Sequence, residues 1–138
     1  MLSFKNAQQI SEVSLLDRAF HYGDGCFSTA RVRHGKIELE NLHMARLGLS
    51  CERLLLQADL KLIQKSLVLL QQQYLAVNGT LKIVISRGDG QRGYSLPDHP
   101  ADVWVFFYPK AVDDFQVEKI KSGVLQQALG LTMPSLVG

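Results

Sequence analysis

At 138 residues and 46% hydrophobic content, the chain holds enough apolar material for one buried core and reads as a single soluble domain. Fifteen basic and thirteen acidic residues leave a formal charge of only +2, and the basic ones are dispersed, so nothing supports a nucleic-acid partner. No apolar window approaches the length a bilayer requires, and Met1 to Asn6 has no basic segment leading into an apolar run, so no membrane partner is expected and the location reads as cytoplasmic.

In chain order, the opening residues read as a short strand, and Leu15 to His21 as a short helix that Gly23 terminates. Cys26 to Arg33 alternates like a strand, His34-Gly35 makes a turn, and Lys36 to Glu38 returns as the hairpin partner. From Leu39 to Leu55, Met44, Leu47, Cys51 and Leu54 recur at helical spacing, with Arg46 at the edge of that stripe. A second amphipathic helix, Asp59 to Ala76, carries Leu60, Ile63, Leu67, Leu70 and Tyr74 on one face and stops at Asn78-Gly79. Thr80 to Arg87 is a strand with Leu81, Ile83 and Ile85 on one face and Lys82, Val84 and Ser86 on the other. Val103 to Tyr108 is apolar on both faces, which predicts a central strand, and Gly123 to Leu129 reads as a last strand. The expected fold is α+β, a mainly antiparallel sheet with two helices packed on one side. Cys26 and Cys51 lack metal-ligand spacing and read as reduced core thiols, so no metal site is expected.

Two stretches carry chemistry. In Tyr22-Gly23-Asp24-Gly25-Cys26-Phe27-Ser28-Thr29-Ala30-Arg31, alternation puts Phe27, Thr29 and Arg31 on one face, and the helix that follows presents Arg46 within His43-Met44-Ala45-Arg46-Leu47. Together they suit an anion-binding floor, since a guanidinium offers phosphate or carboxylate oxygens a planar fork and stays charged at any working pH. The run Gly88-Asp89-Gly90-Gln91-Arg92-Gly93 has the spacing of a dinucleotide fingerprint, but Tyr94, Pro97 and Pro100 follow it in a helix-hostile loop. No helix N-terminus would then face a pyrophosphate, so the run reads as a glycine-rich loop holding Arg87 and Arg92 over a site. Asp17 and Arg18 read as a local structural pair, and Asp113-Asp114 as a solvated loop.

These motifs resemble the N-terminal half of the fold-type IV pyridoxal-phosphate enzymes, the group that holds branched-chain and D-amino-acid aminotransferases and aminodeoxychorismate lyases. The resemblance covers essentially the whole chain, and Ile85 to Ser95 is similar to the lyases in particular. It implies that Arg46 binds the phosphate of pyridoxal 5′-phosphate. It implies also that Tyr22, Phe27, Thr29 and Arg31 line the substrate pocket, and that Lys82, Arg87 or Arg92 joins Arg31 in neutralising substrate carboxylates. The implied reaction is conversion of 4-amino-4-deoxychorismate, a small-molecule substrate, to 4-aminobenzoate and pyruvate in folate biosynthesis, by a cytoplasmic homodimer. Residues 1–129 would be the N-terminal domain and 130–138 the extended start of an interdomain linker, with the Schiff-base lysine just beyond Gly138. No catalytic residue is therefore assigned within the chain, which is expected to be inactive alone and to self-associate through an apolar face. An aminotransferase of the same fold type, or a non-catalytic interaction domain, stays open as an alternative.

Overall fold

The computed structural model describes residues 1–90 and 98–110. Strict alternation in β3 (Gly25–Arg33) buries Ser28, Ala30 and Val32 and leaves Phe27, Thr29, Arg31 and Arg33 exposed. The same period in β5 (Gly79–Ser86) buries Leu81, Ile83 and Ile85. The two strands pair antiparallel, with Ala30 opposite Leu81 and Ser28 opposite Ile83, so their buried sets share one face. The strand that is apolar on both faces, β6 (Asp102–Pro109), lies between β5 and β1 (Leu2–Lys5), as the pattern predicts. With β2 (Gln8–Gln9) and β4 (Lys36–Ile37) the sheet is ordered β2-β1-β6-β5-β3-β4, and every pairing is antiparallel.

Two helices cover the apolar face. Leu47 and Cys51 of α2 (Glu40–Leu54 in full) and Ile63, Leu67 and Leu70 of α3 (Lys61–Gln73) join one cluster with Phe4, Val32, Leu81, Ile83, Ile85, Val103, Val105 and Phe107. Each such buried aliphatic side chain contributes roughly 1.5–3 kcal/mol relative to exposure. Tyr74, just past α3, sets its ring edge-on to Phe107 at 5.3 Å. The expected α+β layering is thus the observed one. None of the helices among the described residues is long and apolar enough to cross a membrane.

Several boundaries differ for local reasons. The first helix, α1 (Arg18–Tyr22), starts three residues later than Leu15, because the Asp17 carboxylate caps it by accepting the Phe20 amide at 2.9 Å. Gly23 ends it in the left-handed conformation at φ 66°, as expected. Leu54 is 40% exposed rather than part of the buried stripe, since α2 stops at the left-handed Leu55. β2 was not anticipated: a two-residue turn at Asn6 (φ 52°) and Ala7 (φ 62°) folds the chain back, the same device as His34-Gly35 between β3 and β4. The expected strand Gly123 to Leu129, the segment 130–138 with the domain boundary before it, and Asp113-Asp114 lie outside the described residues.

Ile83 is completely buried at the centre of the sheet. Truncation by Ile83→Ala should cost roughly 2–5 kcal/mol, read as a lower urea midpoint with an unchanged slope.

Candidate active site

The face of the sheet opposite α2 and α3 carries most of the expected site. The register lays side chains across it in rows: Arg31, Thr80 and Tyr108; then Thr29, Lys82, Phe106 and Ser3; then Phe27, Val84, Trp104 and Lys5. Phe27 is 65% exposed, and the Lys82 ammonium lies 5.2 Å from its ring centroid. Trp104 and Phe106, two residues apart on β6, stack in parallel planes at 5.7 Å. Lys5 stands 5.8 Å from the Trp104 ring and 3.7 Å from the Asp102 carboxylate. Arg31 and Lys82 have no carboxylate partner among the described residues. Phe27, Thr29, Arg31 and Lys82 therefore share one open surface, as the alternation predicts.

Arg46 approaches from the other side of β3. β4 pairs only with Val32 and Arg33, so the outer edge of β3 before them has no strand partner among the described residues. His43, one turn before Arg46, places Nδ1 2.7 Å from the Ser28 hydroxyl, which fastens α2 to β3 between Phe27 and Thr29. Burial, and then the positive charge of Arg46, hold His43 below its ordinary value of 6.5. Arg46 itself is exposed, with no carboxylate partner among the described residues. The site thus wraps an open strand edge, with a cation on the helix and two more on the sheet face.

Three basic residues are placed differently from expectation or fall outside view. Arg87 donates through Nε to Asp24 at 2.8 Å and through its terminal nitrogens to the Leu54 and Leu55 carbonyls at 2.6 and 3.3 Å. All three contacts go to protein acceptors, so in the ligand-free chain this arginine ties β5 to the end of α2. Arg18 is not paired with Asp17 as expected. It donates to Asp24 at 2.9 Å, and its guanidinium lies 4.7 Å from the Tyr22 ring centroid. Asp17 instead accepts the Ser86 hydroxyl at 2.6 Å, which anchors the start of α1, the helix that ends at Tyr22, to the Gly25–Ser86 end of the sheet. Arg92 lies outside the described residues.

Asp24, which the sequence left unassigned, is the hub of this end. Its carboxylate is 16% exposed and receives two guanidiniums on one oxygen. The signal was present in the sequence as an acid flanked by glycines, but its partners lie 6 and 63 positions away. The cysteines are free. Burial, and then the neighbouring Cys51, push the Cys26 thiol up to about 12, in keeping with its reading as an unreactive core thiol.

A family model described as amino-transferase class IV matches residues 25–131. The aminodeoxychorismate lyase of Vibrio harveyi is 32% identical over 134 residues, 93% of this chain and 48% of the relative. The D-alanine aminotransferase of Staphylococcus epidermidis is 29% identical over 121 residues, 85% of this chain and 42% of the relative. Among solved structures, 4-amino-4-deoxychorismate lyase from Pseudomonas aeruginosa superposes with a TM-score of 0.70 at 31% identity, covering 83% of this chain and 43% of that one. The chain spans about half the length of the curated relatives it matches.

Burial opposes the charge on Asp24, but the hydrogen bonds and charges of Arg87 and Arg18 outweigh it and hold the carboxyl below its ordinary value of 3.8. A depressed folded pKa contributes stability that is fully present above the unfolded value and is lost as pH falls through the folded one. Stability should therefore fall below about pH 4 in the wild type. Asp24→Asn should be less stable at neutral pH and lose less on acidification, as measured by urea midpoints from pH 7 to pH 2.5.

Proposed function

The chain belongs to the class IV amino-transferase family, and from that premise we propose that it forms one wall of a pyridoxal 5′-phosphate-dependent aminodeoxychorismate lyase serving folate biosynthesis. The observation that carries this reading is the open sheet face that Arg31 and Lys82 share with Phe27, neither cation having a carboxylate partner among the described residues. 4-Amino-4-deoxychorismate is a ring with two carboxylates, so it calls for an apolar contact and two cations spaced along a surface. The 32% identity to a lyase over nearly the whole chain favours this substrate over an amino acid.

The residues present fit the cofactor's phosphate. Arg46 is exposed, unneutralised among the described residues and backed by the His43 to Ser28 contact, which fixes the helix turn that carries it. When bound, pyridoxal phosphate supplies an electron sink for the carbon bearing the amine. In the overall reaction the ring loses the proton from that carbon, the C–O bond to the enolpyruvyl group breaks, the ring becomes aromatic, and the departing enolpyruvate takes up a proton to give pyruvate. Arg31 and Lys82 hold the carboxylates through these changes, Phe27 and Thr29 form the floor, and Tyr22 closes the end of the pocket. Self-association as a homodimer accords with the exposed apolar Leu15, Leu16 and Phe20 at α1.

The test is release of 4-aminobenzoate and pyruvate from 4-amino-4-deoxychorismate by the gene product that carries these residues. Loss of one charge-assisted hydrogen bond in Arg31→Ala or Lys82→Ala should lower kcat/KM about 10- to 100-fold. Arg46→Ala should instead weaken cofactor binding. Independently of activity, phosphate binding beside His43 should offset the positive charge of Arg46 and raise the His43 pKa, followed by NMR of the ring nitrogens. Transfer of an amino group to a 2-oxo acid without 4-aminobenzoate would favour the aminotransferase to which the chain is also similar.

A further inference from the structure

Asp24 stands between α1 and the junction of β5 with the end of α2, and one carboxylate oxygen meets both. Its Oδ2 accepts Arg18 Nε at 2.9 Å and Arg87 Nε at 2.8 Å. A guanidinium is planar, so a hydrogen bond at Nε fixes the orientation of the whole group. On one side this lays Arg18 against the Tyr22 ring at 4.7 Å. On the other it aims the Arg87 terminal nitrogens at the Leu54 and Leu55 carbonyls, acceptors left over at the end of α2. The backbone makes the same links, with the Asp24 amide donating to the Arg18 carbonyl and the Arg87 amide to the Asp24 carbonyl. α2 is a continuous helix, so holding its last carbonyls fixes where Arg46 sits along the axis.

We propose that Asp24 is a positioning residue that couples the two ends of the site, setting the Tyr22 ring through Arg18 and the seat of the Arg46 helix through Arg87. This rests on the reading of Tyr22 as a pocket residue and Arg46 as the phosphate ligand. The coupling itself is a property of the ligand-free chain. The carboxylate orients both guanidinium planes at once, so losing its charge disturbs both ends together, whereas altering one arginine disturbs one.

The test is NMR of this 138-residue chain without ligand. Asp24→Asn keeps the shape of the side chain and removes its charge. It should shift the Tyr22 ring signals and the Leu54 and Leu55 amides while the Ile83 and Val105 methyls stay in place. Arg18→Lys keeps a cation but loses the planar stack and should move Tyr22 alone. Arg87→Lys loses the fork and should move Leu54 and Leu55 alone. Tyr22 or the Leu54–Leu55 pair unmoved in Asp24→Asn would overturn the proposal, and so would core methyls that shift as much as the two reporters, since that is a stability role only. If Asp24→Asn does not fold, the lysine variants decide, and either one leaving its own reporter in place overturns the coupling. Reporters that respond as expected in a gene product that makes no 4-aminobenzoate would support the coupling and refute the lyase reading.

Discussion

β3 and β5 pair along eight residues, from Gly25 opposite Ser86 to Val32 opposite Gly79, and that register decides which side of the sheet each later side chain meets. A slip of one residue would turn Phe27, Thr29 and Arg31 into the helices and put Ala30 and Val32 in water. Glycine at each end guards the register. A Cβ on Gly25 would collide with the Ile85 carbonyl, and one on Gly79, held at φ 154°, with that of Tyr108. Apolar burial by α2 and α3 then stabilises one face, and the other is left with the side chains that the core has no use for.

Charge at the Gly25 end solves a packing problem that burial does not. α1, the end of α2 and the end of β5 converge there with short elements, little apolar surface of their own, and helix-end carbonyls in need of donors. A lone buried acid would be costly in this place. Two guanidiniums on one carboxylate oxygen, with the remaining Arg87 nitrogens on carbonyls, convert that cost into a connected hydrogen-bonded network. Asp17 does the same on a smaller scale, capping α1 with one oxygen and receiving the Ser86 hydroxyl with the other.

The sheet and the two long helices were legible in the sequence because burial imposes a period on β3, α2, α3 and β5, and because the unbroken apolar run of β6 marks a strand covered on both faces. The sharing of a face by Phe27, Thr29, Arg31 and Lys82 was legible for the same reason, once β3 and β5 were taken as neighbours. β2 was not legible: two exposed glutamines carry no period, and its turn follows Asn6 with alanine at positive φ, where glycine would have completed the signal. Leu54 looked buried because helical spacing continues past the point at which Leu55 ends the helix. The acceptors around Arg87 were not legible, because a sequence shows that a cation is present and not which carbonyls and carboxylates surround it.

That distinction sorts the arginines of the site by what they can still do. Arg18 and Arg87 are nearly buried, each with its Nε spent on Asp24, and an incoming anion would have to displace a carboxylate already held at hydrogen-bond distance. Arg31 and Arg46 are exposed and unneutralised among the described residues, so an anion would meet them at the cost of displaced water alone. Net binding free energy comes from that difference, because a charge-assisted hydrogen bond contributes only what exceeds the partner it replaces. Burial, and then the charge of Arg46, disfavour a second positive charge on His43 beside it. An anion reaching that turn would therefore meet the exposed guanidinium as its charge.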